Sequence, residues 1–129
     1  MAYYTKLKLP NGKPITISNT SNAHCRSIVQ ETNMFIGSNL KGTWLVNNQG
    51  NLKSYVVTSY SKFIYVWRHN IWFTCPYEGN SQTTKRHMNQ ARPVSVNDMV
   101  CLDSEILRQV AYSEEMHSNL WSFFGRNNE

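Results

Sequence analysis

The stretch "KFIYVWRHNIWFTCP", residues 62–76, constrains the fold more than any other part of the chain. Two runs of β-branched and aromatic residues flank His69-Asn70, and asparagine tolerates the left-handed backbone that a two-residue hairpin turn needs. Under that register Trp67 faces Trp72, Val66 faces Phe73, Tyr65 faces Thr74 and Ile64 faces Cys75. Strict alternation then puts Ile64, Val66, Phe73 and Cys75 on one face, and Phe63, Tyr65, Trp67, Trp72 and Thr74 on the other. Both faces are apolar and the second is aromatic. A sheet that contains this hairpin must either be covered on both sides or present an aromatic surface to a partner.

The rest of the chain supplies further strands and several helices. "TWLVN", the turn "NQGN" and "LKSYVVTSY" extend the hairpin into a meander. "YYTKLKLPNGKPITISN" reads as an N-terminal hairpin, with Asn11-Gly12 at its turn, Pro10 and Pro14 at the turn margins, and Ile15 and Ile17 alternating on the return arm. Between them, "SNAHCRSIVQETNMFIG" fits a helix capped by Ser21 or Asn22. Cys25, Ile28, Val29, Thr32 and Ile36 share one face, and Gly37 stands as a left-handed stop, although "NMFIG" also suits the start of a strand. A short helix from Thr83 or Thr84 to about Ala91 ends before Pro93. "SVND" then offers a cap. Asp103 or Ser104 opens a helix through Ile106, Leu107, Val110 and Ala111, and Ser113-Glu114-Glu115 marks a second helix start, with Met116, Leu120 and Phe123 along one stripe and Gly125 as its close. Without a linker or repeat, residues 1–129 form one α+β domain: an antiparallel sheet (N-terminal hairpin plus central meander) with one inserted helix and C-terminal helices.

Charge is unevenly distributed. Residues 1–92 carry eleven Lys or Arg against Glu31 and Glu78, whereas residues 93–129 carry Arg108 and Arg126 against six acids. A basic body suits a polyanionic partner, and a tail that neutralises its own body would produce the same pattern. Cys25, Cys75 and Cys101 show no paired spacing, which fits reduced thiols in a cytoplasmic protein; no apolar run is long enough to span a membrane, so no membrane association is expected.

Two surfaces are candidate binding sites. On the helix 83–92, Thr84, His87, Met88 and Ala91 recur at inward spacing, while Lys85, Asn89 and Arg92 form an outer stripe flanked by Arg86 and Gln90. Such side chains contact phosphates and base edges in nucleic acids, and they also make up ordinary solvated helix faces. If the aromatic sheet face stays exposed, Tyr65, Trp67 and Trp72 with Phe63 form a stacking platform rimmed by Lys53, Lys62 and Arg68, suited to single-stranded nucleic acid or to a protein hot spot. If it is covered, it is a second core layer.

Catalytic, metal and cofactor sites are not nominated. No histidine or cysteine pair has zinc-ligand spacing, acids are scarce in the basic body, and no phosphate-binding loop or nucleophile motif occurs. His87, four residues after Thr83, reads as a structural histidine meeting a capping group, and a small Cys/His hydrolase using Cys75 or Cys25 is a distant alternative.

Over residues 56–90, the Ser59-Tyr60 step, the hairpin, and "SQTTKRH" with Ser81, Thr83, Thr84 and His87 resemble a small uncharacterised domain of phage- and plasmid-encoded proteins, which carries a Tyr-Ser-x-Thr-Thr-x-x-His helix opening. Asn80 replaces the aromatic that precedes the serine there, and "PYEGN" is an insertion. The resemblance implies a mobile-element origin, no activity, and a structural role for Thr83, Thr84 and His87. By origin and size it leads to the expectation of a non-enzymatic protein that binds a host protein or ribonucleoprotein complex, such as an inhibitor of a CRISPR effector. Direct nucleic-acid binding, regulatory or packaging, is the alternative. Neither oligomeric state nor partner identity follows.

Overall fold

A computed structural model describes residues 14–46 and 52–112. Among these, seven strands form one sheet in chain order: β1 (Ile15–Thr16), β2 (Phe35–Ile36), β3 (Leu40–Val46), β4 (Leu52–Ser59), β5 (Lys62–Arg68), β6 (Ile71–Thr74) and β7 (Val100–Cys101). The helices are α1 (Asn22–Gln30), α2 (Gln82–Ala91) and α3 (Ser104–Tyr112), with a 3-10 turn at Val96–Asp98. The class is α+β, as expected, but the sheet is mixed. β2 to β6 pair antiparallel, while β1–β2 and β6–β7 are parallel. Parallel neighbours cannot be joined by a hairpin, and α1 and α2 are the crossovers that make these two edge pairings possible. The return arm of the expected N-terminal hairpin is β1, paired with β2; the first arm, its Asn11-Gly12 turn, "NQGN" and the helix expected from Ser113 lie outside the described residues.

The β5–β6 register is the one read from the sequence. Tyr65 pairs with Thr74, Val66 with Phe73 and Trp67 with Trp72, and the ladder stops short of Ile64 and Cys75. His69 and Asn70 both have positive φ, 53° and 64°, the backbone of a type I′ turn whose twist matches the strands. Tyr60 and Ser61, with φ of 53° and 70°, make a second turn of this kind between Ser59 and Lys62, where no Gly or Asn announces it.

The face assignment changes at one residue. Val57 pairs with Tyr65, but Thr58 pairs with Phe63, so Ile64 is the extra residue of a β-bulge. Phe63 therefore lies on the side opposite Tyr65, against Tyr112 and Arg108 of α3. A second irregularity, between Leu45 and Val46, leaves Lys53 as the extra residue on β4.

α1 and α2 cover one face and α3 the other. On the first, the Tyr55 hydroxyl donates to the Asn33 carbonyl (2.5 Å) and the Tyr65 hydroxyl to that of Met88 (2.7 Å). On the second, the Ser54 hydroxyl donates to the Ala111 carbonyl (2.8 Å) and Arg68 Nη1 to that of Val110 (2.6 Å). Tyr55, Val56, Val57, Ile64, Tyr65, Val66 and Phe73 are all buried, so β4, β5 and β6 are enclosed on both sides.

Helix α2 presents the face its spacing predicts, and α1 and α3 most of theirs, with Ile106 of α3 exposed. Cys25, Ile28 and Val29 of α1, Thr84, His87, Met88 and Ala91 of α2, and Leu107, Val110 and Ala111 of α3 are buried. Ser21 caps α1 through the His24 N–H, and Ser81 caps α2 through the Thr84 N–H. α1 stops well before Gly37. The N–H of Thr32 donates to the Val29 carbonyl and that of Asn33 to the Ile28 carbonyl, with Thr32 at φ 52°. This is a Schellman closure built on threonine in place of the usual glycine. Ile36, expected on the buried face of the helix, is an exposed strand residue.

Gly42 has a packing reason. A Cβ there would fall 2.4 Å from the Tyr55 hydroxyl and 2.5 Å from the Phe35 ring. Gly42→Ala is expected to lower stability by about 1–3 kcal/mol or more, because neither ring has room to retreat; an unchanged urea midpoint would show that the core yields there.

Candidate functional site

The sheet face that sequence patterning offered as a platform is interior. Tyr65 and Trp72 are buried, and Trp67 is half-buried edge-on to Trp44, 5.8 Å between centroids. Trp72 meets Tyr55 edge-on at 6.2 Å. Aromatic edge contacts of this kind stabilise a core. The expected rim is dispersed as well. Arg68 is only 3% exposed and holds the last turn of α3, and Lys62 donates to Asn80 Oδ1. Lys53 sits at the β4 irregularity, its side chain outside the described residues. The alternation pattern could not separate a covered aromatic face from an exposed one.

Helix α2 keeps both of its predicted stripes. On the inward side, Ser59 Oγ lies 2.8 Å from His87 Nδ1 and 3.2 Å from Thr84 Oγ1, and Ser81 Oγ lies 3.2 Å from Thr84 Oγ1. The Tyr60 ring stacks at a tilt 6.0 Å from the imidazole. A chain of hydroxyls and one imidazole thus joins the end of β4 to the start of α2, where Ser59-Tyr60 and the Ser81–His87 segment meet. Ser59 is fully buried, so its hydroxyl faces only these partners. Thr83 stands half-buried beside this chain, with Arg86 Nη2 3.5 Å from its hydroxyl.

The outer stripe is organised by the "PYEGN" loop. Asn80 Nδ2 donates to the carbonyls of Pro76 (2.9 Å) and Tyr77 (3.3 Å), shaping the turn after β6. That turn lays Tyr77 along the helix. Lys85 Nζ sits 5.4 Å from the Tyr77 ring centroid and 3.3 Å from Glu78 Oε1, and Asn89 Nδ2 donates to the Tyr77 hydroxyl at 3.2 Å. The Lys85–Glu78 pair is largely open to water on the glutamate side and holds geometry more than it adds stability. Arg26 of α1 donates through Nε (2.8 Å) and Nη2 (2.6 Å) to the Asn89 carbonyl, capping the C-terminal turn of α2. Arg86 and Asn89 are exposed and Arg92 half-buried. Among the described residues Arg92 forms neither an ion pair nor a hydrogen bond.

Tyr77, 40% exposed, and Val96, 63% exposed, complete this surface. The structure therefore brings together Lys85, Arg86, Asn89 and Arg92, and adds Tyr77 and Val96, which sequence reasoning missed. Their signal was an apolar residue in each polar, turn-rich loop bracketing the helix, at "CPYEGN" and "PVSVND".

The thiols are held protonated. Burial pushes Cys25 up to about 11 and raises Cys75 above its ordinary value, the reverse of what an attacking thiolate requires. Among the described residues no group of three or more His, Cys, Asp or Glu could hold a metal ion, and no helix is long and apolar enough to cross a membrane.

Comparison with protein-family models, curated proteins and solved structures returns no match.

His87 supplies a pH test. Burial, with Arg86 close by, lowers its pKa from the usual 6.5. The folded state thus favours the neutral ring, and its contribution to stability is complete above about pH 6.5 and is lost as pH falls through the folded value. The urea midpoint of the native chain is expected to drop between about pH 7 and 5, and His87→Gln, itself destabilising by about 1–2 kcal/mol, to flatten that drop. Parallel pH profiles for the two proteins would contradict the buried neutral imidazole.

Proposed function

We propose that this chain is a non-enzymatic binding protein of the phage or mobile-element type. It acts on host nucleic-acid machinery by holding a protein or ribonucleoprotein component, and its concrete form is an inhibitor of a host defence complex such as a CRISPR effector. The host setting rests on the sequence resemblance and the size of the chain. The binding mode rests on how the fold uses its charges and aromatics. Arg26, Arg68 and Lys62 make internal contacts and the aromatic sheet face is core, while Tyr77, Asn89, the half-buried Arg92 and Val96 border one cleft, with Arg86 exposed on the same helix. Tyrosine and arginine around an apolar centre are the composition of a protein hot spot.

A second reading, direct nucleic-acid binding, draws on the α3 side of the sheet. There a groove of about 260 Å³ is lined by Lys41, Thr43, Thr58, Phe63, Arg108 and Tyr112 among others. The Arg108 guanidinium lies 5.5 Å from the Phe63 ring and 5.6 Å from that of Tyr112, a cation beside rings that suits a phosphate next to a base.

Two assays separate the readings. In cells carrying a defined CRISPR effector, the native protein is expected to restore transformation by a targeted plasmid, and the Tyr77→Ser plus Val96→Asp variant, matched for urea stability, to fail. Fluorescence anisotropy with labelled single-stranded DNA, duplex DNA and RNA is expected to show no binding even at about 50 mM salt, where electrostatic contacts are strong. Binding that collapses by about 200 mM salt and is lost in Lys41→Glu plus Arg108→Glu would overturn the protein-partner reading in favour of the groove.

A further inference from the structure

Between α2, the 75–80 turn and the 96–101 segment lies a narrow cleft of about 140 Å³. Its buried lining is mostly apolar and rich in sulfur: Met88 and Met99, with Cys75, Tyr65 and the Thr74 side chain. Its more exposed lining is Cys101 together with Tyr77, Asn89, Arg92 and Val96 of the surface described above. Well-packed interiors leave few voids of this size. A cavity of roughly 150 Å³ accepts a benzene ring, and methionine walls adjust to what enters them, which is why binding surfaces use them. Arg92 adds the second observation: a half-buried guanidinium on the cleft lining, without an ion pair or hydrogen bond among the described residues. Of the acids nearby, Glu78 is engaged by Lys85, and Asp98 belongs to the exposed turn after Val96.

We infer that this cleft is the anchor pocket of the contact surface, and that the partner segment it receives carries an aromatic side chain next to a carboxylate. The ring enters between Met88 and Met99, and the carboxylate meets Arg92, whose planar fork matches it with two parallel hydrogen bonds. A buried ring combined with a charge pair at the mouth is how a few residues come to dominate an interface. The inference rests on the proposed protein-binding role and names the chemistry of the partner.

The test uses protein labelled with ¹³C at its methionine methyls and three blocked peptides containing Phe-Asp, Phe-Lys or Ala-Asp. The Phe-Asp peptide is expected to shift the Met88 and Met99 methyl signals saturably, and to bind about tenfold tighter than Phe-Lys, the difference one charge-assisted contact makes. Ala-Asp should leave both methyls unmoved. Arg92→Gln, matched for urea stability, should erase the advantage of Asp over Lys while the ring still binds. The assignment is overturned if neither methyl responds, if Phe-Lys binds as tightly as Phe-Asp, or if Ala-Asp shifts the same signals. It is also overturned if free phenylacetate binds as tightly as the Phe-Asp peptide, which would make the cleft a small-molecule site. Unresponsive methyls together with a Tyr77→Ser plus Val96→Asp variant that still loses protection would remove the anchor and leave the contact surface standing.

Discussion

Enclosure of β4, β5 and β6 on both faces governs the rest of this structure. An apolar two-sided sheet needs a helical layer on each side, and every layer brings backbone carbonyls to the sheet where water is excluded and a hydrogen-bond donor is needed. The fold answers with side chains from the sheet and from neighbouring helices. Arg68 and Ser54 reach the Val110 and Ala111 carbonyls of α3. Tyr65 and Arg26 take those of Met88 and Asn89 in α2. Trp44 and Tyr55 take those of Thr32 and Asn33 just beyond α1. Polar and cationic groups that looked like surface chemistry are thereby drawn into structural work, and the sheet is fastened to all three described helices.

That use of polar groups explains what the amino-acid pattern could and could not disclose. The hairpin register and most of the inward faces of the three helices were legible, because each depends on local period and on turn residues close in sequence. The Ile64 bulge was not. One added residue moves Phe63 to the other face, and where both faces are apolar no break in hydrophobicity betrays the slip. The parallel edges were hidden for a related reason: β1, β2 and β7 are two residues long, too short for alternation to register. Thr32 in the left-handed region and the Tyr60-Ser61 turn both place non-glycine residues where tertiary contacts, and not local preference, decide the backbone.

For the candidate site, the outer stripe of α2 was visible as Lys85, Asn89 and Arg92, but its meaning changed with context. Alone it resembles a groove-reading helix; beside Tyr77 and Val96 it is the polar rim of an apolar cleft. Loop residues brought alongside a helix supply that context, and linear spacing carries no trace of it. The buried Ser59–His87–Thr84 junction shows the opposite case, in which residues that resemble catalytic types tie β4 to α2.

The aromatic face belongs to the interior, and any surface open to a partner lies elsewhere. Acrylamide quenching of tryptophan fluorescence in a Trp121→Phe variant tests it most directly, since the emission then comes from Trp44, Trp67 and Trp72 alone. Blue-shifted emission with quenching far slower than that of free indole is the predicted result. Red-shifted emission quenched at nearly the free rate would place those rings in water and return the aromatic face to the surface.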